Sequence, residues 1–234
     1  MEKDRVIELG LGKEQAVERS FFPQVYFWMA MGLGLTAIVA GWMVTNPKLV
    51  LGFARNPMLF LIVAIAQIGL VFWLSSQVMR LSLTTATIGF SIYATLNGVF
   101  FSSIFLVYTG ASIASTFLIT AGMFGAISVF GFTTKRDLTS VGSFCFMGLI
   151  GIILGSLVNL FFKSPVFYWI LTYVGIGIFV GLTAFDTQKL KKIYHGGFES
   201  ADTLKKAALL GALVLYLDFI NLFLLLLRVM GRRR

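Results

Sequence analysis

The chain has 234 residues, of which 58% are hydrophobic and 12% are charged, and its formal net charge is +9. A soluble domain carries roughly a quarter charged residues, so this composition excludes an ordinary soluble protein. The apolar residues fall in blocks of about 20, the length that crosses a hydrocarbon core. We therefore predict an all-α integral membrane protein with seven transmembrane helices.

The few cysteine and histidine residues argue against a disulfide-bonded fold and a transition-metal site. A single cysteine, Cys145, cannot form a disulfide framework within the chain, and with the single His195 it offers no transition-metal site. Excess Lys and Arg in a membrane protein normally marks cytoplasmic loops, and no basic run here is interleaved with aromatic residues. We expect no nucleic-acid partner and no cofactor.

Taken in order, the chain begins with a polar tail over residues 1–20, which mixes acids and bases and lacks the pattern of a cleaved signal. A single transmembrane domain follows over residues 21–230, and a basic tail, 231–234, ends the chain. The predicted spans are about 22–44, 58–78, 83–108, 113–132, 141–162, 166–194 and 207–229. Asn46-Pro47 is predicted to end the first span in a short loop.

The basic residues indicate the orientation. Twelve lie on the side of the N-terminus and three on the other side, before the tail is counted. The positive-inside rule therefore predicts a cytoplasmic N-terminus. Seven spans then place Arg232, Arg233 and Arg234 outside, which the same rule disfavours. Either the last helix crosses despite its basic end, or it re-enters and leaves the tail inside; we favour seven full spans.

Two acidic residues fall within apolar blocks. Asp218 lies near the middle of the last span, where an ionised carboxylate needs a partner or a proton. Asp186 follows the sixth apolar block, but Leu190, Ile193 and Tyr194 continue its apolar stripe. Extending the helix to Tyr194 puts Asp186 about 12 Å from its end, at about 1.5 Å per residue. An adjacent antiparallel last helix would bring the two acids to a similar depth.

Two carboxyl groups this close cannot both be ionised cheaply, so the pair is expected to share a proton. Loss of that proton would separate the helices or let the pair bind a cation, for which calcium suits oxygen-only ligands. The structural alternatives are a protonated Asp218 that only packs the helices and an interfacial Asp186 near its lysines.

Other polar residues in the spans are weaker candidates. Asn221 shares the helix face of Asp218, Gln67 is suited to an interhelical hydrogen bond, and Arg80 is suited to a counter-charge or to lipid headgroups. The sequence contains no hydrolase elbow, P-loop, HExxH or paired-Cys motif, so we do not expect an enzyme.

At these residues the chain resembles the Bax inhibitor-1 (TMBIM) family, in a bacterial form. The resemblance covers about residues 20–230 and rests on Leu215-Tyr-Leu-Asp218-Phe-Ile-Asn221-Leu-Phe, on Phe185-Asp186 followed by Gln188 and Lys189, and on the seven-span layout. It implies a bundle whose last helix is surrounded by the other six, in the bacterial inner (plasma) membrane.

The resemblance also implies a function. Family members are described as pH-sensitive calcium leak channels with a paired-aspartate sensor, a role that maps onto Asp186 and Asp218, with calcium bound only transiently. Related sequences often carry an acid where this chain has Gln67, and an arginine near that span's end for which Arg80 is the counterpart. Some bacterial relatives instead restrain a membrane-bound protease, a role that needs a protein partner, for which the N-terminal tail is the expected contact. An ion-coupled exchanger is a third possibility.

Overall fold

A computed structural model describes residues 20–234 of the protein. The prediction of a polar cytoplasmic tail over residues 1–20 therefore falls almost wholly outside the described residues.

Helices make up most of the described chain. Seven of them are long and apolar enough to cross a membrane, which confirms the predicted all-α membrane fold; α4 and α5 together form one of these spans, Leu83–Val107. The helices are α1 Phe21–Thr45, α2 Pro47–Arg55, α3 Pro57–Gln77, α4 Leu83–Ser102, α5 Ile104–Val107, α6 Gly110–Thr133, α7 Thr139–Phe162, α8 Pro165–His195 and α9 Ala201–Met230.

The connection between the first two spans differs from the predicted short loop, because residues 47–55 form the helix α2. Pro47 does end α1, yet proline at the first helical position also starts α2, where its missing N–H costs nothing. Val50 and Phe53 are buried on one face of this short helix. At its end, the Asn56 side chain accepts a hydrogen bond from the backbone N–H of Leu59 and caps α3.

The polar connection before the last helix is shorter than the sequence indicated. Helix α8 continues to His195 and α9 already begins at Ala201, six residues before the predicted start of the last span. The hydroxyl of Ser200 accepts a 3.1 Å hydrogen bond from the backbone N–H of Thr203 and so caps α9. This cap therefore stabilises a helical start within the polar segment.

The chain divides into two compact units, and the first contains the described residues up to Ile104 together with Ile193–Leu213. In it, α1 packs closely on α4: the Thr36 hydroxyl donates a 2.9 Å hydrogen bond to the carbonyl oxygen of Ala94, and Gly98 lies against Val39. Small residues at such crossings let helix backbones approach in a membrane.

The second unit contains Phe105–Lys192 and Val214–Arg234, and so holds α6, α7, most of α8 and the C-terminal part of α9. Gly142 of α7 lies against the Phe185 ring, and Gly181 of α8 lies against the Cys145 sulfur. Its buried core is formed by Cys145, Ile178, Phe179, Leu182, Leu222 and Leu226.

Helix α9 is far more buried than the other spans. In its most apolar window 72% of the residues are buried, against 6–39% for the other six. A helix surrounded by protein rather than lipid has this profile, in agreement with the central position that the family resemblance implied.

The basic tail pairs with the connection before α6. Arg233 forms an isolated antiparallel bridge with Tyr108, the Thr109 N–H donates to the carbonyl oxygen of Arg232, and the Arg234 N–H donates to that of Val107. The tail therefore lies at the end of the unit where α6 begins, which is the end that a complete seventh crossing reaches.

Candidate functional site

Asp186 of α8 and Asp218 of α9 are brought together in the second unit. Their carboxyl groups hydrogen-bond to each other, as the depth argument from the sequence predicted. Asp218 is buried, with 5% of its surface exposed, and Asp186 is half-buried. Because an ionised carboxylate only accepts hydrogen bonds, this contact requires a proton on one of the two groups.

One oxygen of the pair lies away from ordinary hydrogen-bond donors. Oδ2 of Asp218 is buried and accepts no hydrogen bond from an amide, hydroxyl or charged donor of the described residues. Lys189 supplies a positive charge that acts on Asp186 from the same helix. A buried unpartnered oxygen is costly, so this position can accept a proton, a water molecule or a cation.

The continuity of α8 explains why Asp186 is inside the protein and not at a helix end. The helix continues for nine residues beyond Asp186, to His195. The hydroxyls of Thr183 and Thr187 donate to carbonyl oxygens four residues earlier, at 2.7 Å and 2.8 Å, so they are satisfied within the helix. The carboxyl group of Asp186 is consequently the group of this segment that is available to α9.

The turn after Asp186 is attached to the loop between α6 and α7. The Gln188 side chain donates a 2.8 Å hydrogen bond to the carbonyl oxygen of Arg136 and accepts a 2.8 Å hydrogen bond from the backbone N–H of Leu138. Lys191 donates to the carbonyl oxygen of Phe132 at 2.7 Å, and Lys192 contacts Asp137 at 2.9 Å. We call these contacts of Gln188, Lys191 and Lys192 the α8 anchor.

Asp137 is the charged member of the loop in this anchor. The hydrogen bond with Lys192, followed by two with Thr139, lowers the pKa of the Asp137 carboxyl from its ordinary 3.8 to about 2. One of these two comes from the Thr139 backbone N–H at 3.1 Å, at the start of α7. Asp137 therefore remains ionised at every physiological pH.

Apolar side chains fill α9 next to the acid pair and beyond it. Phe219 packs edge-to-face against Phe117 and Phe124 of α6, with ring centroids 5.1 Å and 5.5 Å away. Leu222 and Leu226, one and two turns further along α9, belong to the buried core. This part of α9 therefore packs against its neighbours mainly through apolar side chains.

The three supporting residues predicted from the sequence lie in different settings. Asn221 is half-buried and donates a 2.8 Å hydrogen bond to the carbonyl oxygen of Leu217 in its own helix. Gln67, in the first unit, donates a 3.0 Å hydrogen bond to the carbonyl oxygen of Leu96 and so links α3 to α4. Arg80 is exposed in the turn between α3 and α4. A role for Arg80 at the acid pair stays a prediction.

Two polar residues make contacts that the sequence analysis did not predict. Gln188 is buried through its two hydrogen bonds to loop backbone, which nothing in the sequence pattern indicates. Arg228, in the last turns of α9, lies over the Tyr168 ring at 4.6 Å and donates to the Thr172 hydroxyl at 3.3 Å. A charged residue inside the final apolar block was a visible signal for Arg228.

Comparison with known proteins decides the family. The family model described as inhibitor of apoptosis-promoting Bax1 matches residues 18–234. The chain belongs to the Bax inhibitor-1 family.

Bacterial relatives match over nearly the whole chain. The inner membrane protein YbhL of Escherichia coli is 52% identical, over 92% of this chain and 93% of its own length. A protein of Rickettsia prowazekii is 43% identical over 92% of this chain and 91% of its own, and one of Borreliella burgdorferi is 41% identical over 95% and 96%. The match to the Bax inhibitor-1 family thus includes both acid-bearing helices.

Proposed function

We propose that the protein is a pH-sensitive calcium leak channel of the bacterial inner membrane, in which Asp186 and Asp218 form the sensor and gate. The observation that carries this proposal is the hydrogen bond between two carboxyl groups inside spanning helices. Intramembrane acids are expensive and normally mark ion or proton pathways. The inner-membrane location is supported by the seven spans and by the name of the Escherichia coli relative, an inner membrane protein.

The gating step follows from the proton that the pair shares. While it is present, the pair joins α8 to α9. When the pH rises and the proton is lost, two like charges face each other and repel, so the two helices separate. The buried oxygen of Asp218 then becomes a ligand for a passing cation.

Calcium suits this site because it takes oxygen ligands. It needs about six to eight of them, and two carboxylates supply at most four oxygens. The ion would therefore keep part of its water shell and bind only transiently. We place Arg80, Gln67 and Asn221 in supporting roles through helix positioning.

The apolar segment of α9 supplies the barrier of the closed channel. Phe219 and the leucines beyond it exclude water and ions as long as α9 stays packed against α6. Separation of the acid pair would loosen this packing. The N-terminus is proposed to be cytoplasmic, because twelve basic residues lie on its side and three on the other before the tail is counted.

Calcium flux into proteoliposomes at several pH values tests the proposal. We expect wild-type flux to increase as the pH rises and Asp218→Asn to lose most of that dependence, because an amide cannot release a proton. Asp137→Asn is the matched control, since it removes a carboxyl group outside the spans. Wild-type pH dependence in Asp218→Asn would contradict the proposed sensor.

Absence of wild-type flux at every pH would overturn conduction itself. In that case the remaining function is regulation of a membrane-bound protease, which deletion of residues 1–20 and partner capture would examine. Saturable flux against a gradient would instead identify an exchanger.

A further inference from the structure

We infer that Gln188 is a positioning residue that fixes Asp186 opposite Asp218 by attaching the end of α8 to the α6–α7 loop. This inference rests on the proposed function. In this arrangement the Asp186 side of the acid pair is held in place by a residue that does not itself contact the pair.

Two hydrogen bonds form a rigid joint between the Gln188 side chain and one short loop. The side-chain amide donates to the carbonyl oxygen of Arg136 and accepts from the backbone N–H of Leu138, each at 2.8 Å. The side chain is buried, with 6% of its surface exposed. Opening this joint would leave the backbone N–H of the buried Leu138 without its hydrogen-bond partner, which is unfavourable. Gln188 lies only two residues beyond Asp186, so the rigid joint limits where the carboxyl group can move.

The rest of the α8 anchor strengthens the same attachment. Lys191 interacts with both the carbonyl oxygen and the ring of Phe132, which places a positive charge at the C-terminal end of α6. Lys192 forms an ion pair with Asp137. Residues 188, 191 and 192 share one face of α8, at spacings of three and four residues. A single helix face is therefore bound to a single loop.

The anchor does not respond to pH in the range where the channel would open. Gln188 does not titrate, and the pKa of Asp137 is about 2. Lys189 on α8 is the charged side chain that acts on Asp186, and the anchored loop carries the exposed charges of Lys135, Arg136 and Asp137. The loop and α8 therefore remain joined when the acid pair loses its proton, and the separation takes place between α8 and α9.

Two readouts test the role of Gln188, one of which needs no conduction. The first is the pH midpoint of calcium flux in proteoliposomes. The second is the infrared band of the protonated carboxyl group, followed against pH in purified protein and assigned by its loss in Asp218→Asn. Gln188→Ala is compared with Gln77→Ala. Gln77 is a glutamine at the end of another spanning helix, α3, and its side chain makes no hydrogen bond with any other residue of 20–234.

We expect Gln188→Ala to move both midpoints to lower pH by about 0.5–1 pH unit, the equivalent of one lost hydrogen bond. Without this joint the two carboxyl groups are held together less firmly, so the pair releases its proton at a lower pH. Gln188→Asn, which keeps the amide on a shorter side chain, should recover part of the shift, and Gln77→Ala should cause none.

The outcomes separate this inference from the proposed function. Unchanged flux and infrared midpoints in a folded Gln188→Ala protein would overturn the positioning role, whatever the wild type conducts. A shifted infrared midpoint without wild-type flux would retain the positioning role and refute the channel. If Gln188→Ala fails to fold, the comparison is made with Lys191→Gln, which removes the contacts with Phe132 and whose smaller shift is expected in the same direction.

Discussion

The aromatic ring of Phe185 occupies the space that a β-carbon at Gly142 would need. This contact joins α7 to α8 at the residue directly before Asp186. The close approach of these two helices is therefore part of what holds the acid pair in place.

Gly142→Ala is expected to destabilise the protein by about 1–3 kcal/mol, because overpacking forces a ring or a helix to shift. Gly151→Ala in the same helix is the control, since a β-carbon there would meet open space. It should be neutral or stabilising by up to about 1 kcal/mol, from helix propensity alone. Thermal unfolding of both variants in detergent measures the difference, and equal midpoints would contradict the packing argument.

Under the proposed function, Phe219→Ala is expected to make the protein leaky at acidic pH. The ring is buried, with 2% of its surface exposed, and its removal leaves a cavity beside Asp218 that water can enter. Calcium flux at acidic pH, where the proposed channel is closed, should rise several-fold. Phe161→Ala is the control, because that side chain is 86% exposed on a lipid-facing surface. Equal flux in the two variants would exclude Phe219 from the barrier.

Asp137→Asn is expected to leave the pH dependence of flux between pH 5 and pH 8 unchanged. A carboxyl group whose pKa is lowered from 3.8 to about 2 contributes stability above its ordinary pKa, and this contribution is lost only as the pH falls through about 2. Its ion pair is exposed, so the effect on unfolding should be small. A displaced flux midpoint would show that the α8 anchor itself senses pH.

Deletion of residues 231–234 is expected to lower the unfolding temperature, whereas replacing Arg232, Arg233 and Arg234 by Gln should not. The contacts of the tail with residues 107–112 use backbone groups and the Ser112 hydroxyl, which accepts from the Arg232 N–H at 2.8 Å. These contacts persist when only the charges are removed. If the triple substitution were as destabilising as the deletion, the side chains would carry the attachment.

The sequence was sufficient to predict the fold class and the two acids, for a physical reason. Twenty-residue apolar blocks have few solutions in lipid, and an intramembrane carboxyl group stands out against leucine. The depth of Asp186 depended on continuing the apolar stripe to Tyr194, and α8 does continue to His195.

Contacts that depend on tertiary structure could not be predicted from the sequence. Helix α2 was hidden because Asn46-Pro47 is typical both of a turn and of a helix start, and only the burial of Val50 and Phe53 favours the helix. Gln188 was noted only as part of the family resemblance, and no structural role was predicted for it. Its partners are backbone groups about 50 residues away, and backbone groups carry no sequence signal.

The pairing of the tail with residues 107–112 has a consequence for biosynthesis. Residues 231–234 leave the ribosome more than one hundred residues after the segment that they pair with. The backbone groups of the connection before α6 therefore stay hydrated until α9 has been made and residues 231–234 have followed it. A substitution at residues 231–234 would consequently appear as a defect at a connection encoded more than one hundred residues upstream.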